Sequence, residues 1–174
     1  MKKLLTLLTL TLIISTTGCG GGSDSSDEKI LKVMLKMNVT SLDTTQSEDE
    51  VSFEVIADCI EGLMQLDAEG KPIPGIAESV DVSNDGKTYT FHLREAKWAN
   101  GEPVTADDFI FAWRRNCKEA ASYSYMFGDT VACVKNADAV IKGGDPKTLG
   151  ISAPDAKTLV VELDAPVPFF ESLM

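Results

Sequence analysis

The sequence predicts a mixed α and β chain in which short hairpins alternate with amphipathic helices. Three observations predict it. Thr88 to Leu93 alternates, with Tyr89, Phe91 and Leu93 on one face and Thr88, Thr90 and His92 on the other. Two segments, Ser47 to Glu50 and Thr105 to Asp108, read as capping boxes ahead of apolar residues at helical spacing. Turn signals, Asn84-Asp85-Gly86-Lys87 and Pro154-Asp155-Ala156-Lys157, join strand-like runs.

At the amino end, Lys2 and Lys3 precede the apolar run Leu4 to Ile14. This is the pattern of a bacterial signal peptide over residues 1–18, and the run is short for a membrane-spanning helix. Ser15-Thr16-Thr17-Gly18-Cys19 resembles a lipobox, with Thr16 where leucine is commonest. Cys19 is therefore the expected lipidation site. Residues 19–29, including GGGSDSSD, read as a polar tether. Acyl chains on Cys19 would hold the protein to the outer side of a bacterial cell membrane, in the periplasm or at the cell surface, without a spanning helix.

Ile30 to Met37 alternates, with Leu31, Val33, Leu35 and Met37 opposite Lys32 and Lys36, and predicts a half-buried strand. Ser41-Leu42-Asp43 opens a polar loop. Ser47 is the expected N-cap of a helix carrying Val51, Val55, Ile56, Cys59, Ile60 and Leu63. Asp67 to Gly70 is a turn, and Pro72 and Pro74 keep the next stretch extended. Strands follow over Glu78 to Ser83 and Thr88 to Leu93, then a turn at Asn100-Gly101. The second helix, capped at Thr105, presents Phe109, Ile110, Trp113 and Cys117. A third is expected over Val134 to Ile141, stopped by Gly143-Gly144. Ile151 to Ala153 and Thr158 to Leu163 form a second hairpin. Pro166 and Pro168 precede a final apolar run, Phe169 to Met174, which reads as a chain cut short.

Composition narrows the function classes. The 174 residues are 44% hydrophobic, enough for about one core. The formal charge is −11, and loss of the leader with Lys2 and Lys3 and no acid makes it −13. An acidic surface of this size argues against nucleic acid, which is bound through lysine and arginine. The sole histidine, His92, sits on a predicted strand with no nucleophile placed beside it, and the carboxylates show no distinctive pairing. No catalytic residue, metal site or cofactor is expected. Cys59, Cys117 and Cys133 remain after Cys19, an odd number, in no zinc-like spacing. Cys59 is expected in the core, as are Trp98 and Trp113. A Cys117–Cys133 disulfide stays open at this level.

From residue 41 onward the sequence resembles the solute-binding proteins of peptide ABC importers, the oligopeptide- and dipeptide-binding type of family 5. The carriers are Ser41-Leu42-Asp43, Glu61-Gly62-Leu63, Pro74-Gly75-Ile76-Ala77-Glu78-Ser79, Ser83 to Arg94, Lys97 to Gly101, Pro103 to Phe109, Trp113-Arg114-Arg115, Leu149-Gly150 and Pro166 to Phe170, in that order. Thr44 and Val80 depart from the proline and tryptophan usual at those places. Most of these motifs shape turns and caps and identify the fold rather than the pocket.

The resemblance implies the N-terminal portion of a two-lobed, type II periplasmic-binding-protein-like fold with the extra small domain of the peptide-binding branch. Residues 30–60 would begin the main lobe, 61–168 would form the accessory domain, and 169–174 would return to the main lobe. It implies oligopeptides as ligands and importer permease subunits as partners. The segment Ser47, Glu48, Asp49, Glu50 and Val51 resembles the one that runs beside bound peptide, with Glu48 its best charged candidate. Capping of a helix by the same residues is the other reading. Tyr125 resembles a tyrosine near the peptide, with Tyr123 the alternative in register. A receptor of the same fold for a signalling peptide, nickel or haem, or a truncated surface lipoprotein, is the runner-up function.

Overall fold

The computed structural model describes residues 32–174. The leader, Cys19, the tether and the first two residues of the expected strand lie outside the described residues. Contacts divide the chain into Met1–Met34 and Leu35–Met174, and the architecture below belongs to the second unit.

A four-stranded antiparallel sheet is the centre of that unit. Its strands are β3 (Ala77–Val82), β4 (Thr88–Leu93), β5 (Ile151–Asp155) and β6 (Thr158–Glu162), in the order β3-β4-β6-β5. The alternation of β4 decides which face is buried: Tyr89, Phe91 and Leu93 point inward and Thr88, Thr90 and His92 outward. In register, Tyr89 lies opposite Val161 and Phe91 opposite Leu159, so the inward rows of β4 and β6 stack on one another. Phe91 and Leu159 are fully buried, and a side chain the size of Phe91 contributes about 2–3 kcal/mol through lost hydration. Gly86, at φ 67°, takes the left-handed place in the β3–β4 turn.

Helix α2 (Ala106–Lys118) lays Ile110, Trp113 and Cys117 against this core. The expected capping signal at its start is present. The Asp108 carboxylate accepts from the Thr105 backbone N–H at 2.8 Å and from the Thr105 hydroxyl at 3.1 Å. The helix ends in a Schellman arrangement: the Ala121 N–H bonds the Asn116 carbonyl and the Ala120 N–H that of Cys117. Ala120 therefore stands at φ 45°, where glycine is usual.

A smaller hairpin, β1 (Met64–Leu66) with β2 (Pro72–Pro74), precedes the main sheet. The Asp67 carboxylate ties its turn by accepting from the Glu69 and Lys71 amides. Gly75 lets two backbones cross: a Cβ there would lie 2.7 Å from the Gly62 carbonyl oxygen.

Several expectations are corrected. Lys32 to Met37 forms no strand, and Leu35 and Met37 are exposed. An alternating run has a face but no ladder until another strand pairs with it, and among the described residues none does. Helix α1 spans Glu50–Cys59 and starts from Asp49, two residues after the expected cap. Of its predicted apolar face Val51 is buried, Val55 and Ile56 are half-buried, and Cys59 and Ile60 are exposed, so Cys59 is no core residue; Leu63 is buried but lies beyond the end of the helix. Trp98 is 45% exposed where core was expected, because it sits beside the Lys97–Pro103 turn; Trp113 is buried as expected. The third helix, α3, covers only Ala137–Ile141. Val134 instead bridges to Leu163 in extended pairing, and Asn136 at φ 63° breaks the backbone before the helix. All three described cysteines are free thiols.

Candidate functional site

The expected site segment lies in a loop that folds upon Asp43. The Asp43 carbonyl accepts from the Gln46 and Ser47 amides at 2.9 and 3.0 Å and from the Ser47 hydroxyl at 3.0 Å. That hydroxyl also reaches the Ser41 carbonyl, at 2.9 Å, so Ser47 is consumed inside the loop, only 1% exposed. The cap of α1 passes to Asp49, whose carboxylate accepts from the Ser52 N–H at 2.8 Å. A carboxylate there also meets the positive end of the helix. The Thr40 hydroxyl, then the Ser52 amide and hydroxyl, hold the Asp49 carboxyl below the usual carboxylate range.

The Asp43 carboxylate reaches across the sequence to α2. Arg115 grips it with both terminal nitrogens, Nη1 to Oδ1 at 2.9 Å and Nη2 to Oδ2 at 2.6 Å. Oδ1 also accepts from the Thr45 amide and hydroxyl, at 3.0 and 2.8 Å. The Arg115 Nε donates to Glu119 at 3.1 Å, and the Thr45 hydroxyl approaches the other oxygen of Glu119 at 3.5 Å. Asp43, Arg115, Glu119 and Thr45 thus form a closed ring. The guanidinium, first, and Thr45, second, hold the Asp43 carboxyl far below its usual value, while Asp43 and Glu119 raise that of Arg115.

Beyond this ring the two halves of the expected site meet. The exposed Glu48 carboxylate accepts from the Ser122 hydroxyl. Phe53, on α1, packs edge-on to Tyr123 at 5.4 Å between ring centroids, and Tyr123 lies 6.3 Å from Tyr125. Ser124 is buried between them in sequence, which turns both tyrosines outward, 40% and 53% exposed. Glu48, Tyr123 and Tyr125 thus form an exposed acidic and aromatic patch, and Tyr123, the alternative in register, is the one packed against α1. Glu50 faces solvent near Lys36, at 3.7 Å, and Val51 turns its side chain into the core. Of the predicted segment, then, Glu48 and Glu50 present exposed side chains, Asp49 caps, and the side chains of Ser47 and Val51 are buried.

Sequence reasoning missed Arg115, Asp43, Thr45 and Phe53 as supports of this patch. Asp43 and Arg115 were both visible as parts of motifs, but nothing local signals that residues so far apart pair.

A separate recess of about 420 Å³ lies between the end of α1 and the start of α2, lined by Ile60, Arg94, Trp98 and Phe109 among others. Arg94 crosses its edge, bonding Glu61 at 2.5 Å and the Gly75 carbonyl at 2.9 Å. His92 is placed away from both regions, its Nε2 2.9 Å from Asp81 on the outer face of the sheet. Among the described residues no group of three His, Cys, Asp or Glu side chains could hold a metal ion.

Comparison with known proteins agrees with this architecture. The profile of the bacterial extracellular solute-binding proteins, family 5 Middle, matches residues 71–174. The chain is 38% identical to the oligopeptide-binding protein OppA of Bacillus subtilis, over 99% of this chain and 34% of that protein. A solved structure described as an oligopeptide ABC transporter substrate-binding domain, from Bacillus anthracis, is 46% identical with a TM-score of 0.72, covering 76% of this chain and 26% of that one. Listeria monocytogenes OppA bound to peptide is 39% identical with a TM-score of 0.77, covering 85% and 29%. The fold is therefore that expected for the N-terminal portion of a type II binding protein. The chain spans only about a quarter to a third of the length of these relatives.

Proposed function

Because the chain belongs to the bacterial extracellular solute-binding proteins of family 5, we propose that it is the N-terminal part of an exported lipoprotein that captures oligopeptides and delivers them to the permease subunits of an ABC importer. The family is one of binding receptors, and capture rather than catalysis is the work assigned to the patch. The single observation that carries the reading is the hydrogen bond of Glu48 to Ser122, which joins two segments each expected beside peptide, the second carrying Tyr123 and Tyr125.

The chemistry suits a receptor tolerant of sequence. The backbone just ahead of α1, extended at Asp49, can meet peptide backbone as an added strand does. An exposed carboxylate and flat aromatic faces can accept varied side chains through bridging water. Closure of a second lobe would then exclude solvent and strengthen each polar contact. In this reading residues 30–60 begin the main lobe, 61–168 make the accessory domain and 169–174 re-enter the main lobe. Residues 1–18 are removed, and Cys19 carries the anchor.

The test is the protein recovered from its native membrane with detergent. Acid extraction should release a mixture of short peptides, identified by mass spectrometry, and added peptide should raise the melting temperature. No extracted peptide and no thermal shift would overturn the reading, and a shift with nickel or haem alone would favour the runner-up. Cys19→Ala should move the protein from the membrane to the soluble extracytoplasmic fraction, and retention in the membrane would overturn the anchor.

A further inference from the structure

We infer that Arg115 is the positioning residue of the peptide-facing patch: by gripping Asp43 it sets the loop that presents Glu48 to Ser122. The inference rests on the functional reading above for its ligand, though not for its geometry. Asp43 supports the loop twice. Its carbonyl receives the Gln46 and Ser47 amides, and its carboxylate receives the Thr45 amide. Three successive N–H groups therefore depend on the position of one residue, and that residue is held from α2 by a two-pronged guanidinium contact. Glu48 follows Ser47 directly.

The grip needs arginine. The paired N–H groups of a guanidinium match both carboxylate oxygens while Nε still reaches Glu119, a geometry an ammonium cannot copy. Helix α2 carries the clamp, and the chain that leaves it through the left-handed Ala120 reaches Ser122, the partner of Glu48. Arg115 is itself only about one-third exposed and is occupied by Asp43 and Glu119, so its role acts through Glu48 rather than on ligand.

The patch also states what it should prefer. An exposed carboxylate bonded to Ser122, next in sequence to the exposed Tyr123, on an acidic protein attracts a cationic group. Arg115 then controls selectivity for a basic peptide residue, over and above general affinity.

The experiment has two readouts on the full chain. Amide hydrogen exchange in Arg115→Gln should speed at Thr45, Gln46 and Ser47 by about tenfold or more, with Phe91 unchanged. Arg115→Lys should restore little of that protection. Unchanged exchange at these three amides would overturn the clamp. The second readout compares tripeptides carrying lysine or norleucine at each position. Arg115→Gln should lower the lysine-to-norleucine affinity ratio as far as Glu48→Gln does, about tenfold, with no further loss in the double variant. An equal fall for both peptides would mark Arg115 as a general structural contact and overturn the selectivity claim. Should neither peptide bind the parent protein, the functional reading fails, and the exchange readout still decides whether Arg115 sets the loop.

Discussion

The Tyr89 ring lies 4.5 Å from that of Phe170, centroid to centroid, and the Tyr89 hydroxyl donates to the buried Val167 carbonyl at 3.2 Å. A strand of the central sheet is thus joined to the segment after Pro166 by both packing and a polar bond. Tyr89→Phe keeps the ring and leaves the carbonyl without its donor. It should cost about 1 kcal/mol. The alkaline behaviour supplies the control. Burial, then the nearby Glu171 charge, raises the Tyr89 pKa in the folded protein. Its contribution is therefore complete below pH about 10 and is lost as pH rises through the folded value. Urea midpoints at pH 8 and pH 11 should show the gap between parent and variant narrowing. A gap that is constant or widens would contradict the bond.

Much of the sheet was legible because its signals are local. Alternation in Thr88–Leu93 and the Asp85-Gly86 turn concern neighbours in the sequence, and both hold in the structure. Thr105 and Asp108 are three residues apart and form the bond their spacing implies. The failures share a different cause. Ser47 has the right identity and spacing for a cap, yet its hydroxyl is taken by two carbonyls that a turn brings back upon it. Cys59 has helical spacing with Val51 and Val55, yet it borders the open recess at that end of the helix and stays exposed. A periodic face predicts burial only where a partner exists. The patch divides in the same way: Glu48 and the tyrosines could be named from motif order, whereas the Asp43–Arg115 grip that joins their elements is long-range and leaves no local mark.

Ala120 offers a gain in stability. It occupies the left-handed place that closes α2, at φ 45°, where a Cβ is strained. Ala120→Gly should stabilise the fold by about 0.5–1 kcal/mol, because relief of strain outweighs the extra freedom of glycine in the unfolded chain. Thermal unfolding checks it, and a lower melting temperature would count against the Schellman ending.

The three described thiols should differ in reactivity. Cys59 is exposed, Cys133 is partly covered, and Cys117 is fully buried with its thiol pushed up to about 11 by desolvation. Cys133 is also raised, by burial and then by Asp129 and Asp164. Since the thiolate is the reacting form, iodoacetamide at pH 8 should label Cys59 first, Cys133 slowly and Cys117 only in denaturant. Peptide mapping by mass spectrometry reads the order. Labelling of Cys117 as fast as Cys59 in the native protein would show that the core around α2 opens.

Acid should act on the loop through Asp43. Its carboxyl is held below the unfolded value, chiefly by Arg115 and then by Thr45. A depressed pKa contributes stability that is present above the unfolded value, about 4, and is lost as pH falls through the folded one. Asp43→Asn removes this dependence along with the charge. The parent should therefore be more stable than the variant at pH 7, and the margin should shrink as pH drops below 4. Asp49, Asp85 and Asp155 are also held low and weaken both proteins alike, so the difference between the two isolates Asp43. Added salt should reduce the margin only in part, because the pair is about one-third exposed and its contact is a directed two-pronged bond. Urea midpoints across pH 2.5 to 7 measure it. A margin that does not change over that range would mean that Arg115 and Asp43 meet without the ionic grip on which the presentation of Glu48 depends.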